Sequence, residues 1–180
     1  MQTLRTAVGV AWILFWIYWI VAAMNAKASV RTRRGLPLGG VSVISVILLV
    51  RVVRPSSFAV TSALLAAIGT AVFVSGIAAA IWARIELGRN WGVPMTERAE
   101  PELVTAGPYR FVRHPIYSGL LLALVGTALV NNLLGLIVVA VLGAYFYYAA
   151  SVEEKNLILA FPTAYPAYRA TTKMLLPFVL

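Results

Sequence analysis

PIYSGLLLALVGTALVNNLLGLIVVAVLGAYFYYAASVEEKNLILA, from Pro115 to Ala160, is the stretch that decides the fold. Two apolar runs, about Pro115 to Val130 and Leu133 to Val152, are separated only by Asn131-Asn132 and their neighbours. A spanning helix needs roughly 20 apolar residues, because the hydrocarbon core is about 30 Å thick and each residue rises about 1.5 Å. So short a link forces an antiparallel hairpin. The hairpin returns the chain to the face it left, so the segment before Pro115 and the segment after Val152 meet at one membrane surface.

Three further apolar runs precede the hairpin: about Ala7 to Met24, about Leu38 to Val50 and about Phe58 to Ala83. The first carries interfacial aromatics, Trp12, Trp16, Tyr18 and Trp19. Ala26-Lys27-Ala28 resembles a signal-peptide cleavage site, but the run before it is long for a signal core and only Arg5 precedes it. It reads as a span. The second run is short and ends at Arg51 and Arg54, which can snorkel. The expectation is therefore an all-α integral membrane protein of about five transmembrane helices, with a C-terminal helical hairpin and an amphipathic tail. Residues 1–83 hold the first three helices; residues 84–180 hold a polar loop, the hairpin and the tail, in one domain overall.

Composition agrees. Hydrophobic residues make up 61% of the 180, more than a soluble domain of this size can bury. The net charge of +9 does not imply nucleic acid, since the cations lie between apolar runs. If the loop between the third and fourth spans is cytoplasmic, only Arg5, Arg51 and Arg54 of the 15 Lys and Arg residues fall outside. That asymmetry places the N-terminus outside and the C-terminus in the cytoplasm. All six Glu residues fall on the inner side and none lies mid-span, which disfavours an ion-coupled transporter. Cys and Asp are absent and His114 is the only histidine, which excludes Cys-ligated metal and Ser-His-Asp chemistry. No metal is expected, and no soluble dinucleotide fingerprint occurs.

Two polar segments carry what chemistry there is. In LVTAGPYRFVRHPIYSG, Leu103 to Gly119, Gly107-Pro108 signals a turn and Pro115 suits the first helical position. The helix N-terminus then offers open backbone donors beside Arg113 and His114, a site for an anion such as a carboxylate. An interfacial loop anchored by Arg and Tyr is the plainer alternative. In VEEKNLILAFPTAYPAY, Val152 to Tyr168, Glu153-Glu154 closes the last span, where a carboxylate needs solvent or a partner. The pair could hold a cationic group, with Tyr rings adding cation–π attraction. A membrane-surface tail broken by Pro162 and Pro166 is the plainer alternative here.

Together these segments, with a terminal LLPF and the lead-in LGRNW at Leu87 to Trp91, resemble the isoprenylcysteine carboxyl methyltransferase family of integral membrane enzymes. The resemblance covers about Arg84 to Phe178. It implies S-adenosylmethionine as cofactor, held over the last two spans at the cytoplasmic face of the cell membrane. By position it assigns Leu103, Val104, Tyr109, His114, Pro115, Ile116 and Tyr117 to the cofactor cradle and Glu153 to the cofactor's cationic part. The implied acceptor is lipophilic or prenylated and bears a carboxylate. If the acceptor were instead an amine, as in a related phospholipid methyltransferase, Glu154 or a tyrosine, taken as Tyr165, would receive its proton. A reductase with a similar cofactor motif and a non-catalytic membrane subunit are the remaining alternatives. Three departures stand out: Pro101 replaces an expected His, Ala149 an expected substrate-binding Arg, and Pro162 an expected Gly.

The charge asymmetry makes a direct prediction. Cysteine accessibility or reporter fusions at Thr32, Glu100 and Lys173 should place all three in the cytoplasm. Opposite placements of Glu100 and Lys173 would dismantle the hairpin.

Overall fold

The computed structural model describes residues 1–24, 29–32, 58–91, 96–98 and 102–177. The run about Leu38 to Val50, Pro101 and Phe178, the last residue of LLPF, lie outside them. Four apolar helices are described: α1 (Gln2–Ala23), α2 (Ala63–Leu87), α3 (Pro115–Asn131) and α4 (Gly135–Ala160). A short α5 (Ala164–Thr171) follows. The helices α1, α2 and α4 have the length and apolar character to cross a membrane, and α3 is shorter but equally apolar. The fold is that of an all-α integral membrane protein. One addition was not expected from the pattern: β1 (Ser29–Thr32) pairs antiparallel with β2 (Thr96–Arg98), linking two loops by backbone alone.

Local chemistry sets the helix ends. Ser62 caps α2, its hydroxyl accepting from Leu65 N at 3.3 Å. Gly88, with φ of 53°, ends the helix in the left-handed region. The α2 helix thus runs past the expected boundary at residue 83, and Arg84 belongs to its last turn. Pro115 opens α3 as its residue type predicts. The tight link works through side chains: Asn131 Nδ2 donates to Thr127 O at 3.0 Å, and Asn132 Oδ1 accepts from Leu134 N at 2.9 Å. Pro162 falls in the break between α4 and α5, whereas Pro166 is absorbed in the first turn of α5, where a missing N–H is tolerated.

The closest packing lies between α2 and α3. A Cβ built on Gly119 would come within 2.7 Å of Ala80 N and 2.8 Å of Gly76 O, and one on Gly126 or Gly76 would overlap the facing backbone at Phe73 or Ala123. Small residues let the two backbones touch, the main source of helix association where the solvent is itself apolar. The α1 helix clads this pair through Val8, Trp12, Phe15 and Trp19, which pack on Phe73, Ile77 and Ala80. Trp12 Nε1 donates to Thr127 Oγ1 at 3.0 Å. At the hairpin-turn end, Arg5 donates to Val60 O at 2.7 Å. At the opposite end, buried Arg84 donates to Ala22 O at 2.5 Å and Gly88 O at 2.6 Å, holding the C-terminal carbonyls of α1 and α2 with one cation.

Gly76→Leu should therefore lower the detergent melting temperature, since overpacking costs about 1–3 kcal/mol or more. Gly9→Leu, where an added Cβ meets nothing within 4 Å, should leave it nearly unchanged. Equal melting of the two variants would show that α2 and α3 are not in backbone contact.

Candidate active site

The α4 helix continues past the expected end at Val152 and keeps Glu153 and Glu154 in helical register. Consecutive helical residues point about 100° apart, so the two carboxylates leave in different directions. Glu153, with a side chain 24% exposed, accepts from Tyr117 OH at 2.6 Å and lies 3.4 Å from His114 Nδ1. Glu154, 4% exposed, accepts from Arg113 Nε at 2.6 Å and lies 3.5 Å from Arg169 Nε. His114 Nε2 is also 3.5 Å from Glu154 Oε1, a long charge-assisted contact. His114 stands at the N-cap of α3, its ring parallel to that of Tyr117 at 5.6 Å, and Tyr117 is stacked in turn on Phe146 at 4.6 Å. Burial lowers the His114 pKa, but hydrogen bonding and charge attraction from Glu153 and Glu154 overcome it, and the net shift is upward.

The tail closes over this cluster. Arg113 NH1 donates to the carbonyls of Thr172 and, at 3.4 Å, Arg169. Arg113 N donates to Lys173 O at 2.8 Å, His114 N to Met174 O at 3.1 Å, and Ser118 Oγ to Leu175 O at 2.5 Å. This corrects the sequence expectation of an anion site built from Arg113 and the donors beside it. The tail carbonyls and Glu154 engage that side chain and those two N–H groups. What remains for an anion is the N–H groups of Ile116 and Tyr117, since Pro115 has none and Ser118 N donates to His114 O at 3.2 Å. The tail is likewise not simply a surface helix, because Tyr165 is only 1% exposed.

The loop before α3 is docked on the end of α2. Gly107 adopts φ of 57° and opens a 3-10 turn through Arg110, and a Cβ there would fall 2.7 Å from Glu86 Oε2. Tyr109 is buried, donates to Ala83 O at 3.4 Å, and accepts from Tyr168 OH through its carbonyl at 2.6 Å. Burial pushes the Tyr109 hydroxyl upward, so it stays protonated at neutral pH. Leu103 and Val104 are half-buried in the extended lead-in.

Of the sequence candidates, His114, Tyr117, Glu153 and Glu154 form one contacting cluster. Tyr109 joins it through Tyr168 and the tail; Pro115 is buried and Ile116 half-buried at the start of α3. Tyr165 packs edge-on to Tyr168 at 6.0 Å, and its buried hydroxyl has no hydrogen-bond partner. Arg113 as the partner of Glu154, and the carbonyls at 169 and 172, were not foreseen. One signal was available: Arg113-His114 and Glu153-Glu154 are adjacent opposite pairs that the hairpin brings to the same surface.

This arrangement, polar residues gathered at one end of an apolar helical hairpin, is the fold of an intramembrane methyltransferase. The eukaryotic Ras methyltransferase ICMT (isoprenylcysteine carboxyl methyltransferase) superposes with a TM-score of 0.61 at 25% identity, over 79% of this chain and 52% of that one. A family description, phospholipid methyltransferase, matches residues 64–163, more than half of the sequence, and the chain belongs to that family. Methanethiol S-methyltransferase 1 of Bradyrhizobium diazoefficiens is 35% identical over 82 residues, 46% of this chain and 28% of that protein. The chain thus spans about half of the solved relative and less of the curated one.

Two glycines test the loop's docking. Gly88→Ala should cost only the left-handed strain, about 1–2 kcal/mol, because an added Cβ meets nothing within 4 Å. Gly107→Ala adds a clash with Glu86 to that strain and should lower the melting temperature further. Equal losses would show that the Glu86 side chain swings aside at little cost.

Proposed function

We propose that the chain is an S-adenosylmethionine-dependent methyltransferase that acts on a lipophilic acceptor at the cytoplasmic face of the cell membrane. The observation that carries this reading is Glu153, partly exposed between Tyr117 and His114 beside the open first turn of α3. A zwitterionic amino-acid end needs both signs within a few ångströms. Glu153 would take the ammonium and the first turn of α3 the carboxylate, while Leu103, Val104, Tyr109, His114, Pro115, Ile116 and Tyr117 would line the rest. The fit is supported by the donor set itself: a partly exposed carboxylate stands beside the N–H groups that open α3. When bound, the cofactor supplies an electrophilic sulfonium methyl group.

Methyl transfer from a sulfonium demands little of the protein beyond alignment, and positioning alone is worth up to roughly 7–11 kcal/mol in favourable cases. The candidates for receiving an acceptor proton are Glu154 and Tyr165. Glu154 is tied to Arg113, and burial pushes the Tyr165 hydroxyl upward, leaving it a poor base at neutral pH. Both would shape the site rather than carry the proton. The acceptor's tail would enter from the bilayer between helices.

The carboxylate acceptor implied by the resemblance would meet no cation at position 149. Ala149 is fully buried in a hydrophobic cluster with Tyr117, Phe146 and Leu175. That observation favours an amine-bearing lipid headgroup as the second reading, in keeping with the family's description.

Calorimetry on the purified full chain tests the cofactor. Glu153→Gln loses a charge-assisted bond of roughly 1.5–3 kcal/mol, so S-adenosylmethionine binding should weaken by about tenfold or more. Unchanged affinity would remove Glu153 from the site. Methylation of a prenylcysteine analogue but not of a phosphatidylethanolamine-type amine would return the acceptor to a carboxylate.

A further inference from the structure

We propose that Arg113 and Glu154 form a positioning clasp, whose buried ion pair ties the C-terminal tail to the helical hairpin and holds His114 between the two carboxylates. The clasp thereby fixes the face that Glu153 presents.

The geometry is specific to a guanidinium. Arg113 reaches three acceptors on two elements at once: Glu154 on α4 through Nε, and the carbonyls of Arg169 and Thr172 at the end of α5 through NH1. Its side chain and that of Glu154 are 7% and 4% exposed, so neither is exchanging partners with bulk water. A planar fork of fixed donors can serve an acid and two carbonyls together; an ammonium of similar charge cannot span them. The backbone continues the tie, since Arg113 N and His114 N donate to Lys173 O and Met174 O. His114 is therefore placed from both sides: by the tail through its N–H, and by Glu153 and Glu154 flanking its ring at 3.4 and 3.5 Å. Glu153 in turn is held by Tyr117, on which His114 is stacked. Removing the Arg113 side chain takes from Glu154 its 2.6 Å partner and leaves the tail only its backbone ties, so the seat of His114 loosens. Glu154 is on this account a positioning residue rather than a group that touches substrate.

His114 is the chain's only histidine, so a selectively labelled imidazole gives a single resonance that reports the clasp directly. The charged and titratable groups around it are Glu153 and Glu154 on α4, Arg113 beside it and Tyr117 stacked on it. Tyr165, Tyr168 and Arg169 of α5 stand around Glu154, and Tyr109 of the loop lies against Arg84 and Glu86 of α2. Arg113→Gln separates two effects by sign. Deleting a positive neighbour in an unchanged structure raises the His114 midpoint. Loss of the seat between two carboxylates lowers it toward the free imidazole value.

The experiment is a pH titration of labelled His114 in the detergent-solubilised full chain, for wild type, Arg113→Gln and Arg113→Lys. A lowered midpoint in Arg113→Gln, a smaller lowering in Arg113→Lys, and faster amide exchange at residues 113 and 114 are the expected results. A raised or unchanged midpoint overturns the clasp, and if Arg113→Gln does not fold the lysine variant alone decides by the same sign. The cofactor readout rests on the proposed function: both variants should weaken S-adenosylmethionine binding about tenfold or more, as Glu153→Gln does. Wild-type affinity in both, with a lowered midpoint, would overturn the positioning role. Failure of the wild type to bind the cofactor would instead sink the functional reading, while the histidine titration still judges the clasp.

Discussion

A carboxylate at the edge of a hydrocarbon slab must be solvated, paired or protonated, and α4 carries two side by side. Because neighbouring helical residues diverge, each has a close partner of its own, Tyr117 for Glu153 and Arg113 for Glu154, with His114 between the two. The structure meets this with the adjacent pair Arg113-His114, delivered to the same level by the start of α3. That start must therefore be held in place, and two contacts hold it. Along its length, α3 lies backbone to backbone against α2 through Gly119, Ala123 and Gly126. At its tip, the tail carbonyls grip Arg113 N and His114 N. The α1 helix buttresses the pair, and Arg84 locks its end to that of α2.

Much of this architecture was legible. Asn131-Asn132 between two apolar runs dictated the hairpin, and Pro115 marked a helix start that stands where expected. Hydropathy failed at the helix ends for identifiable reasons. The α4 helix was cut at Val152 because the residues after it are polar, yet Glu153 and Glu154 stay helical since their partners come from elsewhere in the chain. The third span was begun at Phe58, but Phe58 and Val60 pair by backbone with Leu133 and Asn131 instead of joining α2. The ribbon of β1 and β2 depends on two loops meeting in space, which no local pattern encodes. The spacing Gly76-x-x-x-Ala80 facing Gly119-x-x-x-Ala123 was readable as a helix contact, and simple counting of apolar residues passed over it.

The site was legible in its membership more than in its wiring. The motif named His114, Tyr117, Glu153 and Glu154, and the fold gathers them. It did not show that Arg113 is committed to Glu154, because an arginine next to a helix N-terminus looks like an anion ligand until its acceptors are seen. Those acceptors are mostly main-chain oxygens, which every residue carries and no sequence advertises.

This last point bears on how the site tolerates change. The family match ends at residue 163, just before α5, yet the groups that complete the cluster from the tail lie beyond it. Arg169, Thr172, Lys173, Met174 and Leu175 contribute carbonyls, so what the site requires of this segment is a path, not particular side chains. The exceptions are Tyr165, wholly buried, Tyr168, whose hydroxyl donates to Tyr109 O, and Arg169, whose Nε faces Glu154 at 3.5 Å. A tail specified by backbone geometry can vary in sequence while the charges it encloses stay put. Ala149 is the opposite case: its small side chain lets Tyr117, Phe146 and Leu175 close together, and a larger residue there would have to displace them.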